Sequence, residues 1–180
     1  LIEIDAPKVN MSGFAKILDE DMRKDLKDYF LKYGNDDLSV SDIKSIIDYN
    51  NLDSIERSPY GQSIFKKIIR DTMPKDDFLK LKLRLMAEGN KFYDIPINKH
   101  NLDAVLSINN YHAGYAAAAH NPALTVPMGL RENNEPVGLT FISKSNSEQT
   151  LYELGHYFES NFSGRVPPEN SKWLLYKANL

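Results

Sequence analysis

The chain has 180 residues, 42% of them apolar, and a formal charge of −3 from 22 basic and 25 acidic side chains. That balance excludes the basic footprint of a nucleic-acid binder and leaves enough apolar sequence for one domain with a sizeable core. The absence of cysteine removes disulfides, thiolate metal sites and cysteine nucleophiles from consideration.

No run approaches the roughly 20 apolar residues of a membrane span, and no signal-peptide pattern opens the sequence. Soluble, cytoplasmic placement is the expectation, with secretion left open. Because the first residue is Leu1 and not Met, the sequence reads as a segment of a longer protein. Charge is uneven: residues 1–92 carry 17 acidic and 16 basic side chains, and 93–180 carry 8 and 6. This predicts an α/β chain in one domain, 1–180, with solvated helices over 1–92, then strands and a C-terminal helix over 93–180.

In chain order, Leu18, Met22, Leu26, Tyr29, Phe30 and Tyr33 fall within an arc of about 120°, the buried stripe of a helix over 16–33. Gly34 and Asn35 stop it. Ser39 to Asp42 offers cap residues for a second helix that buries Ile43, Ile46 and Ile47. Pro59 suits the first position of a third, with Ile64, Phe65, Ile68 and Ile69 on one face and Pro74 beyond its end.

The alternation Leu79 to Leu85 has the period of a strand. Asp76 and Asp77 ahead of it and a run of good helix formers favour a helix to about Glu88. Beyond Gly89, the short apolar runs 104–108, 123–127 and 136–142 read as strands, the last two turning back through Asn133-Asn134. Ser145 to Glu148 resembles a capping box for a helix that buries Leu151, Leu154, Phe158 and Phe162 and closes at Gly164.

Candidate chemistry is thin. Ser63/Lys66 and Ser41/Lys44 have the S-x-x-K spacing that places a hydroxyl and an amine on one helix face. With 14 Ser and 16 Lys in the chain, two matches are what chance gives. Lys66 also lies opposite the apolar face, toward water. Ser143-Lys144-Ser145 looks nucleophilic but reads more simply as a strand-to-helix connection.

The four histidines, His100, His112, His120 and His156, lack metal-ligand spacing, so no metal or other cofactor is expected. Asn10-Met11-Ser12 and Asn161-Phe162-Ser163 match a glycosylation triplet that is common by chance. The small-residue loop from His112 to His120 is either the wall of a pocket or tight packing, and the residues leave both open.

From Leu102 to Glu159 the sequence resembles the C-terminal part of the amidase signature family. The resemblance rests on Asn121-Pro122-Ala123-Leu124-Thr125-Val126-Pro127-Met128-Gly129, on Glu135-Pro136-Val137-Gly138-Leu139, and on Ser147-Glu148 leading to Phe158-Glu159. Asp42 to Asn50 is similar to a helical segment of bacterial relatives.

The resemblance implies the C-terminal segment of the amidase signature fold. In such enzymes a Ser–Ser–Lys triad cleaves carboxamide C–N bonds, and all three residues lie in the N-terminal half. No Gly-Ser dipeptide occurs here, so the chain is expected to be inert alone. Its expected partners are the N-terminal catalytic half and a small-molecule amide, with no nucleic acid and no membrane. By the same resemblance His112, Gly114, Tyr115 and His120 would line the substrate channel. His120 stands where many relatives carry Gly, and Ile108 where a strand-end proline is common.

Two other readings remain: an autonomous interaction module sharing the fold segment, and a small hydrolase using Ser63 and Lys66. Exposure separates the first from an amidase segment, because a piece of a larger sheet shows a large apolar surface or hides it by self-association.

Overall fold

The computed structural model describes residues 1–35 and 37–167. The C-terminal stretch 168–180, part of the expected single domain, lies outside the described residues. Two compact units form, Met11–Leu85 and Leu1–Asn10 with Met86–Leu180.

In the unit Met11–Leu85, helix α1 (Phe14–Tyr33) begins two residues before the expected range and ends at Gly34 as anticipated. Its buried face differs from the expected stripe. Ile17 and Asp19 are buried, whereas Leu18, Met22, Tyr29 and Tyr33 are between 42% and 63% exposed. The cause is polar: Asp19 pairs with Lys67 at 2.7 Å, and Arg23 Nε donates to the Ile68 carbonyl at 3.0 Å. Lys16 also donates to the Asp71 carbonyl. These cations satisfy the last carbonyls of α4 (Ser63–Arg70), and that need turns α1 onto its charged edge.

Helix α2 (Ile43–Asn51) is capped by Asp42, whose carboxylate accepts from Ser45 N while Ser45 Oγ accepts from Asp42 N. The Ser45 amide holds the Asp42 carboxyl below its usual range, so the cap's contribution is present above that range and fades as pH falls through it. Ile43 and Ile47 pack with Ile68, Leu26 and Phe65. Helix α3 (Ser54–Arg57) was not foreseen. Pro59 precedes α4 by a turn and does not open it, since Gly61 takes φ +78° and the helix starts only at Ser63.

Helix α5 (Lys75–His100) resolves the alternating segment as helix and carries it 12 residues past Glu88. The helix therefore runs eight residues into the stretch 93–180 that was expected to hold strands and a C-terminal helix. Pro96 costs the hydrogen bond to the carbonyl four residues back, a loss of roughly 3 kcal/mol in an isolated helix. Burial of Phe92, Tyr93 and Ile97 opposes that cost.

Strands β1 (Val105–Ile108), β2 (Ala123–Leu130) and β3 (Pro136–Ile142) form an antiparallel sheet in the order β1-β3-β2, and the β2–β3 hairpin is as expected. One face packs on α5 and α6 (Ala113–Ala119) through Ile142, Tyr93, Ala116 and Ala119. The other face packs on α7 (Glu148–Asn161) through Val126, Phe141 and Leu151. The expected capping box does not form: Ser147 is the N-cap and makes no side-chain cap bond, because Ser145 Oγ donates instead to the His120 carbonyl at 2.8 Å. Phe162 lies past the helix end and is 57% exposed.

Candidate functional site

The His112 to His120 stretch is a helix with bracketing histidines, not a loop, because four consecutive alanines after Tyr115 are the strongest helix formers. It lies so close to α5 that a Cβ on Gly89 would sit 2.7 Å from the Tyr115 carbonyl oxygen and 2.9 Å from Ala119 N. Ala116 and Ala119 are buried. The small residues serve helix-on-helix packing along this side.

At the N-terminal end of α6 the structure gathers polar and aromatic groups. His112 Nδ1 and Ser107 Oγ share a hydrogen bond of 2.7 Å. The His112 ring stacks on Phe92 at 5.3 Å, and Tyr115 leans on the same phenyl ring at 4.7 Å. Below them Tyr93, fully buried, donates its hydroxyl to the His112 carbonyl at 2.9 Å. Burial, with Tyr115 nearby, pushes the Tyr93 phenol above its ordinary range.

The sheet continues the polar line. Thr125 and Thr140 hydroxyls meet at 2.7 Å, and Thr140 Oγ1 donates to the Asn109 carbonyl. Asn109, at φ +50°, accepts from Gly138 N through Oδ1 at 2.7 Å.

Of the four expected channel residues, His112, Gly114 and Tyr115 share this end, whereas His120 closes the opposite end of the helix, about 12 Å away by helical rise. Its backbone is left-handed, φ 58°, the conformation in which glycine is unstrained. His120→Gly is expected to raise the unfolding free energy by up to about 1 kcal/mol, measured by urea denaturation; destabilisation would show that the imidazole does more than occupy the cap.

Ser107 was missed by sequence reasoning. The signal was a lone hydroxyl at an inward position of an apolar strand, Val105 and Ser107 sharing one face. The Ser107–His112 pair resembles half of a nucleophile–base arrangement. Ser107 is only 6% exposed, however, and no carboxylate hydrogen-bonds to His112 among the described residues. The arrangement can orient the ring and present a donor–acceptor edge.

The other candidates are structural. Ser63 and Lys66 are both exposed, and no hydrogen bond joins them. Lys44 pairs with Asp48 at 2.7 Å. Ser143 Oγ donates to the Asp103 carbonyl at 2.7 Å and Lys144 Nζ to Asn98 Oδ1 at 2.6 Å, so this trio ties the strand end to its neighbours. Among the described residues no three His, Asp or Glu side chains are placed to hold a metal ion, and no helix is long and apolar enough to cross a membrane.

A groove of about 580 Å³ lies beside β1, lined by Leu1, Ile2, Ile4, Leu102, Leu106 and Phe141 among others. None of the four expected channel residues reaches it.

The fold defined by these elements is that of part of an amidase. An amidase family protein from Bacillus anthracis str. Ames superposes with a TM-score of 0.80 and 31% identity, over 92% of this chain and 33% of that one. The peptide amidase from Stenotrophomonas maltophilia has the same fold, with a TM-score of 0.73 at 22% identity, over 89% and 36% of the two chains. A glutamyl-tRNA(Gln) amidotransferase subunit from Bacillus thuringiensis (strain Al Hakam) is 47% identical over 38 residues, which is 21% of this chain and 8% of that protein. No family model matches the sequence. The resemblance to amidases is thus borne out, and the chain spans about a third of its structural neighbours.

Proposed function

We propose that the chain is the C-terminal part of a bacterial amidase, supplying scaffold and substrate-channel wall to a catalytic Ser–Ser–Lys half carried on other polypeptide. The observation that carries this reading is the coverage: the neighbour's fold accounts for 92% of this chain, and the chain for 33% of the neighbour. His112, Gly114 and Tyr115 present the wall, and His120 shapes the loop after it. The substrate is a small carboxamide, and the assembly is soluble and cytoplasmic.

Exposed apolar residues favour this over an autonomous interaction module. Met22, Tyr29 and Tyr33 on α1 and Ile64 on α4 are all more than 40% exposed, apolar area of the kind that a segment of a larger fold leaves uncovered.

The isolated chain is expected to hydrolyse no simple carboxamide above a blank. Turnover that co-purifies with the chain and is lost in Ser107→Ala or Ser63→Ala would overturn the reading, the second variant identifying the serine–lysine hydrolase.

A further inference from the structure

Val126 and Phe141 pack on α7, so the alternation of a strand puts Thr125 of β2 and Thr140 and Gly138 of β3 on the opposite face of the sheet. Helices α5 and α6 cover that face around Ile142 but leave Thr125 exposed. A groove of about 320 Å³ opens there, lined by Thr125, Pro127, Leu130, Val137, Gly138 and Arg165 among others. Its walls are mostly apolar, and two polar side chains decide what it can hold.

The direction of the hydrogen bonds fixes what Thr125 offers. Thr140 Oγ1 donates its one hydrogen to the Asn109 carbonyl, which can only accept. In the 2.7 Å contact between the two threonine hydroxyls the donor is therefore Thr125. Its Oγ1 keeps lone pairs and no spare hydrogen, so it can accept a ligand's N–H but cannot donate to a carbonyl or carboxylate. Gly138 holds it in this orientation. A Cβ there would lie 2.6 Å from Thr125 Cγ2, so a bare glycine is what gives the methyl its place.

The second group is Arg165. Gly164 brings the chain against β2, since a Cβ there would lie 2.5 Å from the Pro127 carbonyl oxygen. Arg23, Arg57, Arg70, Arg84 and Arg131 each donate to a carbonyl or carboxylate of the chain. Arg165 has no such partner among the described residues. Its planar fork matches a carboxylate.

We propose that this groove binds an N-acylated apolar amino acid. The carboxylate pairs with Arg165, the amide N–H donates to Thr125 Oγ1, and the side chain lies on Pro127, Leu130 and Val137. Ligand sites run from about 300 to 1,000 Å³, so a groove near the lower bound takes a molecule of amino-acid size. An inorganic anion would satisfy Arg165 and leave the apolar lining without a partner. The site stands on the groove and not on the amidase reading, so either can fail alone.

The test is a titration of the full 180-residue chain with N-acetylleucine, followed through the amide signals of Thr125, Gly129 and Gly138 by two-dimensional NMR. Saturable shifts of all three are expected, with a Kd of about 0.1–5 mM. N-acetylleucinamide, which lacks the carboxylate, should bind at least about tenfold more weakly, and so should N-acetylleucine to the Arg165→Gln chain. The ester analogue 2-acetoxy-4-methylpentanoate, which lacks the N–H, should lose roughly three- to tenfold. Thr125→Val should show the same loss for N-acetylleucine, and Thr125→Ser should not. Thr125→Val leaves the Thr140 bond to Asn109 in place, and unchanged signals of Ser107 and Phe141 report an intact sheet.

Absence of a saturable shift up to about 10 mM N-acetylleucine overturns the proposal. So do equal binding of the neutral amide or of inorganic phosphate, and shifts that survive Arg165→Gln undiminished.

Discussion

Replacing Ile142 with alanine is expected to lower the unfolding free energy of the chain by about 2–5 kcal/mol, the range for deleting a large buried aliphatic side chain. Ile142 is fully buried and packs with Phe92, Tyr93, Ile97, Ala116 and Ala119. It also pairs with Val105 on one side and Ala123 on the other, so the strands on both sides hold its backbone and limit collapse into the cavity. Against total stabilities of about 5–15 kcal/mol the loss is large. Urea denaturation monitored by far-ultraviolet dichroism reads it as a lowered midpoint at an unchanged slope. A shift under about 1 kcal/mol would mean that the α5–α6 layer repacks freely around the sheet.

Gly89→Ala is the second large effect, and its sign runs against helix propensity. Position 89 is interior to α5, where alanine would ordinarily gain about 1 kcal/mol over glycine. The added methyl would meet Tyr115 O at 2.7 Å and Ala119 N at 2.9 Å. Both are backbone atoms of α6 and cannot rotate away, so overpacking of about 1–3 kcal/mol outweighs the gain.

The expected result is a fall in Tm of roughly 2–8 °C. Gly155→Ala supplies the contrast. Its nearest obstacle is the far end of a leucine side chain, Leu124 Cδ2 at 2.5 Å, which can change rotamer, so that variant should unfold close to the parent. Equal losses at both positions would show that the α5–α6 contact is no tighter than an ordinary helix contact.

Much of the architecture was legible where one local signal dominated. The β2–β3 hairpin followed from two apolar runs around Asn133-Asn134, and α2 from Asp42 and its isoleucines. The resemblance to amidases was carried by short blocks of residues around Pro127 and Gly138. What escaped depended on distant chain.

The stripe Leu18 to Tyr33 has ideal helical spacing, yet α1 is oriented by Asp19, Arg23 and Lys16 reaching α4, a polar requirement that periodicity does not weigh. Gly89 reads as the point where the pattern changes, yet it and Pro96 lie within α5, because α6 needs the space over the glycine and the core around Tyr93 holds the turn that the proline weakens. At the candidate site, the His112–Tyr115 end could be suspected from residue types. Ser107 offered only the weaker signal of a lone hydroxyl in an apolar strand, since its partner is brought to it by a turn through Asn109 that only the folded sheet imposes.

The phenol of Tyr93 gives the core a titratable chromophore. Held neutral by burial, it has a folded-state pKa above that of an unfolded tyrosine. Its share of stability is therefore whole below about pH 10 and drains away as alkali is added. Among the ten tyrosines of the chain, this buried ring is expected to ionise after the exposed ones, as a late step of phenolate absorption that accompanies loss of the core in alkali.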